Sequence, residues 1–110
     1  MSKLPKRYRQ FTQAYPSVAA AYEQLGTEVH AAGPLDDKTR ALIKLGISVG
    51  AWLEGAVHSH VRKALDAGAK PAELRQVALL SLPTIGFPSM MAALSWVDET
   101  IDEQSKRKKK

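Results

Sequence analysis

Between Ala41 and Trp52 the chain reads Ala-Leu-Ile-Lys-Leu-Gly-Ile-Ser-Val-Gly-Ala-Trp. Taken as a helix from about Lys38 to Trp52, this stretch shows almost no polar face. A helix that is apolar all round must be covered on every side. A chain of 110 residues has room for one core and few such places. The stretch thus restricts the chain to packed helical folds and favours assembly with further copies of itself.

The remaining clear periodicities are helical too. Phe11, Ala14, Tyr15, Val18, Ala21, Tyr22, Leu25 and Val29 recur at three- and four-residue steps. Pro16 opens the main part of that helix, Gly33-Pro34 closes it, and His30 is a favourable cation near its end. Asp36 and Asp37 suit the start of the apolar helix. A third helix, about Glu54 to Ala67, has Val57, Val61, Ala64 and Leu65 as its core stripe and Gly68 as its C-terminal cap. Pro71 opens a fourth, with Leu74, Val77, Ala78 and Leu82 inward. Pro83 to Pro88 forms a break, and Ser89 to about Glu103 forms the last helix. No alternating strand pattern or internal repeat occurs. The expectation is a single all-α domain over residues 1–110, of five to six helices, with basic tails at about 1–9 and 105–110.

Those tails account for the positive charge. Seven of the 16 basic residues lie between positions 10 and 105, against all 11 acidic ones, so the body is net negative. A nucleic-acid-binding fold carries its basic face on ordered elements, so no specific nucleic-acid contact is expected and the tails read as solvated ends. Residues 76–97 carry no charge, but Pro83, Gly86 and Pro88 interrupt them, which speaks for two buried helices rather than a membrane span. No secretory signal is visible, and the expected location is the cytoplasm. The absence of cysteine excludes disulfides, zinc–thiolate sites and thiol nucleophiles.

Leu53-Glu54-Gly55-Ala56-Val57-His58-Ser59-His60 concentrates the candidate chemistry. Successive helical residues turn by about 100°, so with Val57 at zero, Glu54 falls at about 60°, His58 at about 100° and His60 at about 300°. Glu54 thus lies within the apolar stripe, and the histidines lie on opposite shoulders. Glu54 and His58 are an i,i+4 pair that can touch. His58 and His60 cannot reach one ion from the same helix, and no metal or cofactor is expected. Glu54 reads either as a first-turn carboxylate stabilised by the helix dipole or as one facing a pocket. His60 reads either as a core-edge histidine or as a general acid/base.

From about Asp37 to Val97 the chain resembles the carboxymuconolactone decarboxylase family, which includes the alkylhydroperoxidase-like proteins. The resemblance rests on Lys38-Thr39-Arg40-Ala41-Leu42-Ile43-Lys44-Leu45, on Glu54 through Gly68, on Pro71-Ala72-Glu73-Leu74-Arg75, and on Gly86-Phe87-Pro88 with Ala92-Ala93-Leu94. It implies an alkylhydroperoxidase-like helical fold that assembles as a homotrimer or homohexamer. Registered on the histidine of the family's redox branch, His60 places Leu53 and Ala56 where that branch has its two cysteines and Ala41 where it has a glutamate. The decarboxylase branch, which needs no thiol, has a glutamate at the position of Ala56. Pairing Glu54 with His58 restores that branch's spacing but breaks the better register through Arg62-Lys63-Ala64-Leu65.

Two functions follow. One is a cofactor-free lyase or isomerase acting on a small organic acid or lactone, with His60 as acid/base and Glu54 or His58 orienting it or sharing its proton. The other is a non-catalytic oligomeric binding protein on the same fold. A peroxidase of the family's thiol type has no nucleophile here.

Overall fold

The computed structural model describes residues 5–108. Lys3, Lys109 and Lys110 of the basic tails lie outside them. The described residues form α1 (Lys6–Ala14), α2 (Pro16–Ala31), α3 (Asp37–Gly50), α4 (Glu54–Asp66), α5 (Pro71–Leu80), α6 (Leu82–Ile85) and α7 (Phe87–Lys108), with no strand among them. Six of these are helices of nine residues or more and α6 is a single turn, so the expected all-α fold is the observed one. The chain divides into two compact units, Met1–Leu35 and Asp36–Lys110.

In the first unit α1 packs against α2. Pro16 disfavours helical backbone at the residue before it, and Tyr15 accordingly leaves the helix at φ −133° and ψ 64°. Its N–H still reaches the Phe11 carbonyl at 2.8 Å, and the Phe11 and Tyr15 rings lie 5.8 Å apart. Val18, Tyr22, Leu25 and Val29, which the periodicity marks for burial, all stand more than half exposed on α2.

The second unit holds the core. Leu45 and Val49 of α3, Val57, Val61 and Ala64 of α4, Leu74 and Ala78 of α5, and Ala93 and Val97 of α7 are almost completely buried together. Asp36 caps α3 by accepting the Thr39 N–H at 2.8 Å. Glu73 accepts the Lys70 N–H at 2.8 Å at the start of α5 and pairs with Lys38 of α3, also at 2.8 Å. Arg75 reaches from α5 to Asp98 of α7 at 2.7 Å. These ion pairs are exposed, so packing rather than charge holds the unit.

Three differences from the sequence reading have physical causes. The last helix starts at Phe87, because Pro88 fits a first turn, where its missing N–H has no partner to lose. It also runs on to Lys108, so part of the expected basic tail is helix; Lys106 and Arg107 there complement the negative end of the dipole. The apolar helix is buried on one side only: Ile47 is 64% exposed and its i−4 neighbour Ile43 nearly half exposed. The charge-free segment bends through α6, and among the described residues no helix is long and apolar enough to cross a membrane.

Both ends of the α3–α4 pair close in the same hydrogen-bond pattern. After α4, the Ala69 N–H reaches Ala64 O at 2.9 Å and the Gly68 N–H reaches Leu65 O at 3.1 Å, with Gly68 at φ +96°. After α3, Leu53 N–H bonds Ser48 O and Trp52 N–H bonds Val49 O, both at 3.1 Å. There the positive-φ residue is Trp52, at 62°. A side chain in that region costs about 1–2 kcal/mol. The tilted contact between the Trp52 and Trp96 rings, with centroids 5.0 Å apart, is of the kind worth about 0.5–1.5 kcal/mol beyond its area. The two are of similar size, so the ring contact holds the turn.

Nothing lies within 4 Å of a Cβ added at Gly68. Gly68→Ala should nonetheless destabilise the chain by about 1–2 kcal/mol, through backbone strain alone. Chemical denaturation with an unchanged m-value checks this, and a neutral result would mean that the turn relaxes.

Candidate functional site

The three sequence-selected residues all project from α4, whose orientation is set by the buried row Val57, Val61 and Ala64. Glu54 occupies the first turn, with its side chain 56% exposed rather than inside the apolar stripe. An ideal wheel places it there, but the helix only begins at Glu54, and a first-turn side chain stays largely in solvent. His58 is largely buried, its side chain 21% exposed. Its Nε2 faces Glu54 Oε2 at 3.3 Å, and its Nδ1 bonds the hydroxyl of Thr100 on α7. Thr100 is fully buried, and its hydroxyl donates to the Trp96 carbonyl at 3.3 Å.

His60 lies on the other shoulder of the helix. The hydrogen bonds of His58 run to Thr100 and Glu54, and none runs to His60. The structure thus joins Glu54 to His58 and leaves His60 apart from both. His60 is half-buried, and the ammonium groups of Lys63 and Lys44 act on it. Burial first, then Lys63 and Lys44, pushes its imidazole from the ordinary 6.5 down to about 4. Burial likewise lowers the pKa of Lys44, assisted by Lys63 and Arg40. The arrangement is a neutral imidazole in a cationic surrounding, suited to an anionic ligand.

Sequence reasoning missed Thr100, Glu99, Lys44 and Lys63. Thr100 carried a signal: it follows Ala93 and Val97 at steps of four and three, so a hydroxyl falls on an otherwise apolar face. Lys63 carried one as well, three residues after His60 on the same helix, whereas Lys44 carried none, since the angle at which α3 meets α4 is not written in either helix alone. A separate groove of about 550 Å³ opens between α3, α5 and α6, lined among others by Ile43, Val49, Val77, Leu80 and Ile85. Glu54, His58 and His60 are not among its lining residues.

Comparison with known proteins adds three findings. The model of the carboxymuconolactone decarboxylase family matches residues 16–99. A curated relative, nitrosuccinic acid decarboxylase from Metarhizium robertsii, is 35% identical over 71 residues, which are 63% of this chain and 48% of the relative. The chain thus spans about half the length of that protein. A crystal structure from Burkholderia xenovorans LB400, assigned as a carboxymuconolactone decarboxylase, superposes with a TM-score of 0.66 at 22% identity, covering 94% of this chain and 84% of the other. That likeness shows the fold.

The His60 surroundings set a pH dependence. The folded pKa lies below the unfolded 6.5, so between 6.5 and about 4 the unfolded chain binds a proton that the folded chain excludes. The corresponding stability is complete above pH 6.5 and is lost as the pH falls to about 4. The His60 ring resonances should titrate near 4 by NMR, and His60→Ala should flatten the fall in thermal stability across that window. A titration midpoint at the ordinary value would place the ring in bulk water.

Proposed function

Because the chain belongs to the carboxymuconolactone decarboxylase family, we propose that it is a cofactor-free lyase of the decarboxylase kind, acting on a small organic acid. The observation that carries this reading is the half-buried His60 beside Lys44 and Lys63. Loss of carbon dioxide breaks a carbon–carbon bond and leaves its electron pair on the retained carbon, which must then receive a proton. In this reading the two ammonium groups hold the substrate's carboxylate charge, and the neutral His60 relays a proton from water, one ring nitrogen giving its proton to the retained carbon as the other takes one up. The curated relative's name, nitrosuccinic acid decarboxylase, agrees with an acidic substrate. Thiol-dependent peroxide reduction has no nucleophile in a chain without cysteine.

His58 bonds to Glu54 and to Thr100, so this reading gives neither Glu54 nor His58 a share in the His60 proton. A second reading, a non-catalytic binding protein, is favoured by the groove between α3 and α6, which carries none of the three residues. Carbon dioxide release from a panel of small carboxylic, keto and nitro acids separates the two. A lyase should lose activity by about 100-fold or more in His60→Ala, while His58→Ala should change it much less. Ligand-induced stabilisation without turnover, indifferent to His60→Ala, would establish the binding protein instead.

We also propose that the chain works as a homo-oligomer, a trimer or hexamer. Support comes from Ile43 and Ile47 on α3 and Leu79 and Leu80 on α5, each about half exposed or more. Such apolar area on a small chain is typical of an interface. Sedimentation at micromolar concentration should show the assembly, and Ile47→Asp should dissociate it. A stable wild-type monomer would overturn the proposal.

A further inference from the structure

Among the described residues Glu54 and His58 of α4 and Glu99 of α7 bring one ligand atom each to within 4.8 Å of one another. Two carboxylates and an imidazole are donors suited to a divalent cation of the zinc class. The hydrogen bonds behind His58 decide which of its nitrogens is available. The Thr100 hydroxyl has a single proton, and the Trp96 carbonyl, which can only accept, can take it at 3.3 Å. With the proton there, Thr100 Oγ1 accepts from His58 Nδ1–H; with it given to Nδ1 instead, Nε2 carries the ring proton and donates to Glu54. In the first arrangement Nε2 presents its lone pair to the Glu54 carboxylate, as a bound cation requires.

That first arrangement sets two electron-rich atoms 3.3 Å apart, and they need something positive between them. A second proton on the ring would serve, and so would a tetrahedral metal ion. Ligands about 2.0–2.1 Å from zinc lie about 3.3 Å from one another, which is the separation between His58 Nε2 and Glu54 Oε2. Glu99 is exposed, with Oε1 taking a long 3.4 Å bond from Ser95, so its carboxylate can swing onto the ion at little cost.

We propose that Glu54, His58 and Glu99 bind one divalent zinc-class cation per chain, with a fourth position open to water and Thr100 positioning the imidazole. A metal-bound histidine ordinarily donates its other N–H to such a partner, and losing the partner weakens binding by about 10–100-fold. The site uses the shoulder of α4 opposite His60 and does not depend on the decarboxylase reading.

The test uses tag-free full-length chain, stripped with a chelator and titrated calorimetrically with zinc chloride. Cobalt(II) chloride, followed by its visible absorption, reports the ligand geometry. Wild type should take up one ion per chain and gain thermal stability. Glu54→Gln and Glu99→Gln should each weaken binding by about 10-fold or more, and His58→Ala should abolish it. Thr100→Val should weaken it about 10–100-fold while every ligand remains, and Thr100→Ser should restore it. His60→Ala should keep the ion. Circular dichroism establishes that each variant is folded. Absence of uptake by wild type would leave an ordinary Glu54–His58 ion pair and overturn the proposal. So would uptake that survives Glu54→Gln, Glu99→Gln and His58→Ala, or that is lost with His60→Ala.

Discussion

The second unit depends on one buried seam. Val57, Val61 and Ala64 have no exposure at all, and they press α4 between α3 on one side and α7 on the other. A row of small branched residues can sit that deep because the facing positions, Leu45, Val49, Ala93 and Val97, interleave with it. Once the seam fixes the rotation of α4, every other side chain on that helix has its surroundings assigned. His58 is turned to α7 and its hydroxyl, while His60 comes under the influence of Lys44 of α3. Two histidines separated by a single serine thus acquire opposite environments, one hydrogen-bonded at both nitrogens and one desolvated among cations.

Much of this architecture was legible in the residues. Pro16, Asp36, Pro71 and Gly68 act locally, through a fixed φ, a side-chain cap or a left-handed turn, and each lies where its chemistry predicts. The core stripe of α4 followed from spacing, as did the contact between Glu54 and His58. What escaped were facts about pairs of helices. A wheel assigns a side chain an angle, but not the neighbour that stands at that angle. Spacing therefore put the Thr100 hydroxyl on an apolar face but not beside His58, and Glu54 proved exposed because a wheel does not say where a helix begins. The extent of α7 was missed for a different reason: composition marked Lys106 and Arg107 as tail, whereas the helix dipole welcomes them.

Family membership and the thiol chemistry of the redox branch part company in this chain. The family model spans most of it, yet no thiol is present. The resemblance registers Leu53 and Ala56 on the redox branch's cysteines. Leu53 is exposed and Ala56 half-buried, and neither carries a reactive group. Neither position belongs to the buried seam of Val57, Val61 and Ala64, so the packing that holds α4 does not rest on them. A scaffold whose core and reactive positions are separated in this way can change its reaction without renegotiating its packing.

The chain has two tryptophans, and they touch each other. Trp52 occupies the left-handed position that ends α3, and Trp96 lies on the middle of α7, with their rings 5.0 Å apart and inclined at 58°. Both indoles thus report on a single joint. The tryptophan emission of this protein is a gauge of whether α7 is seated on the α3–α4 turn. It does not average over the structure as a whole, and it needs no introduced label.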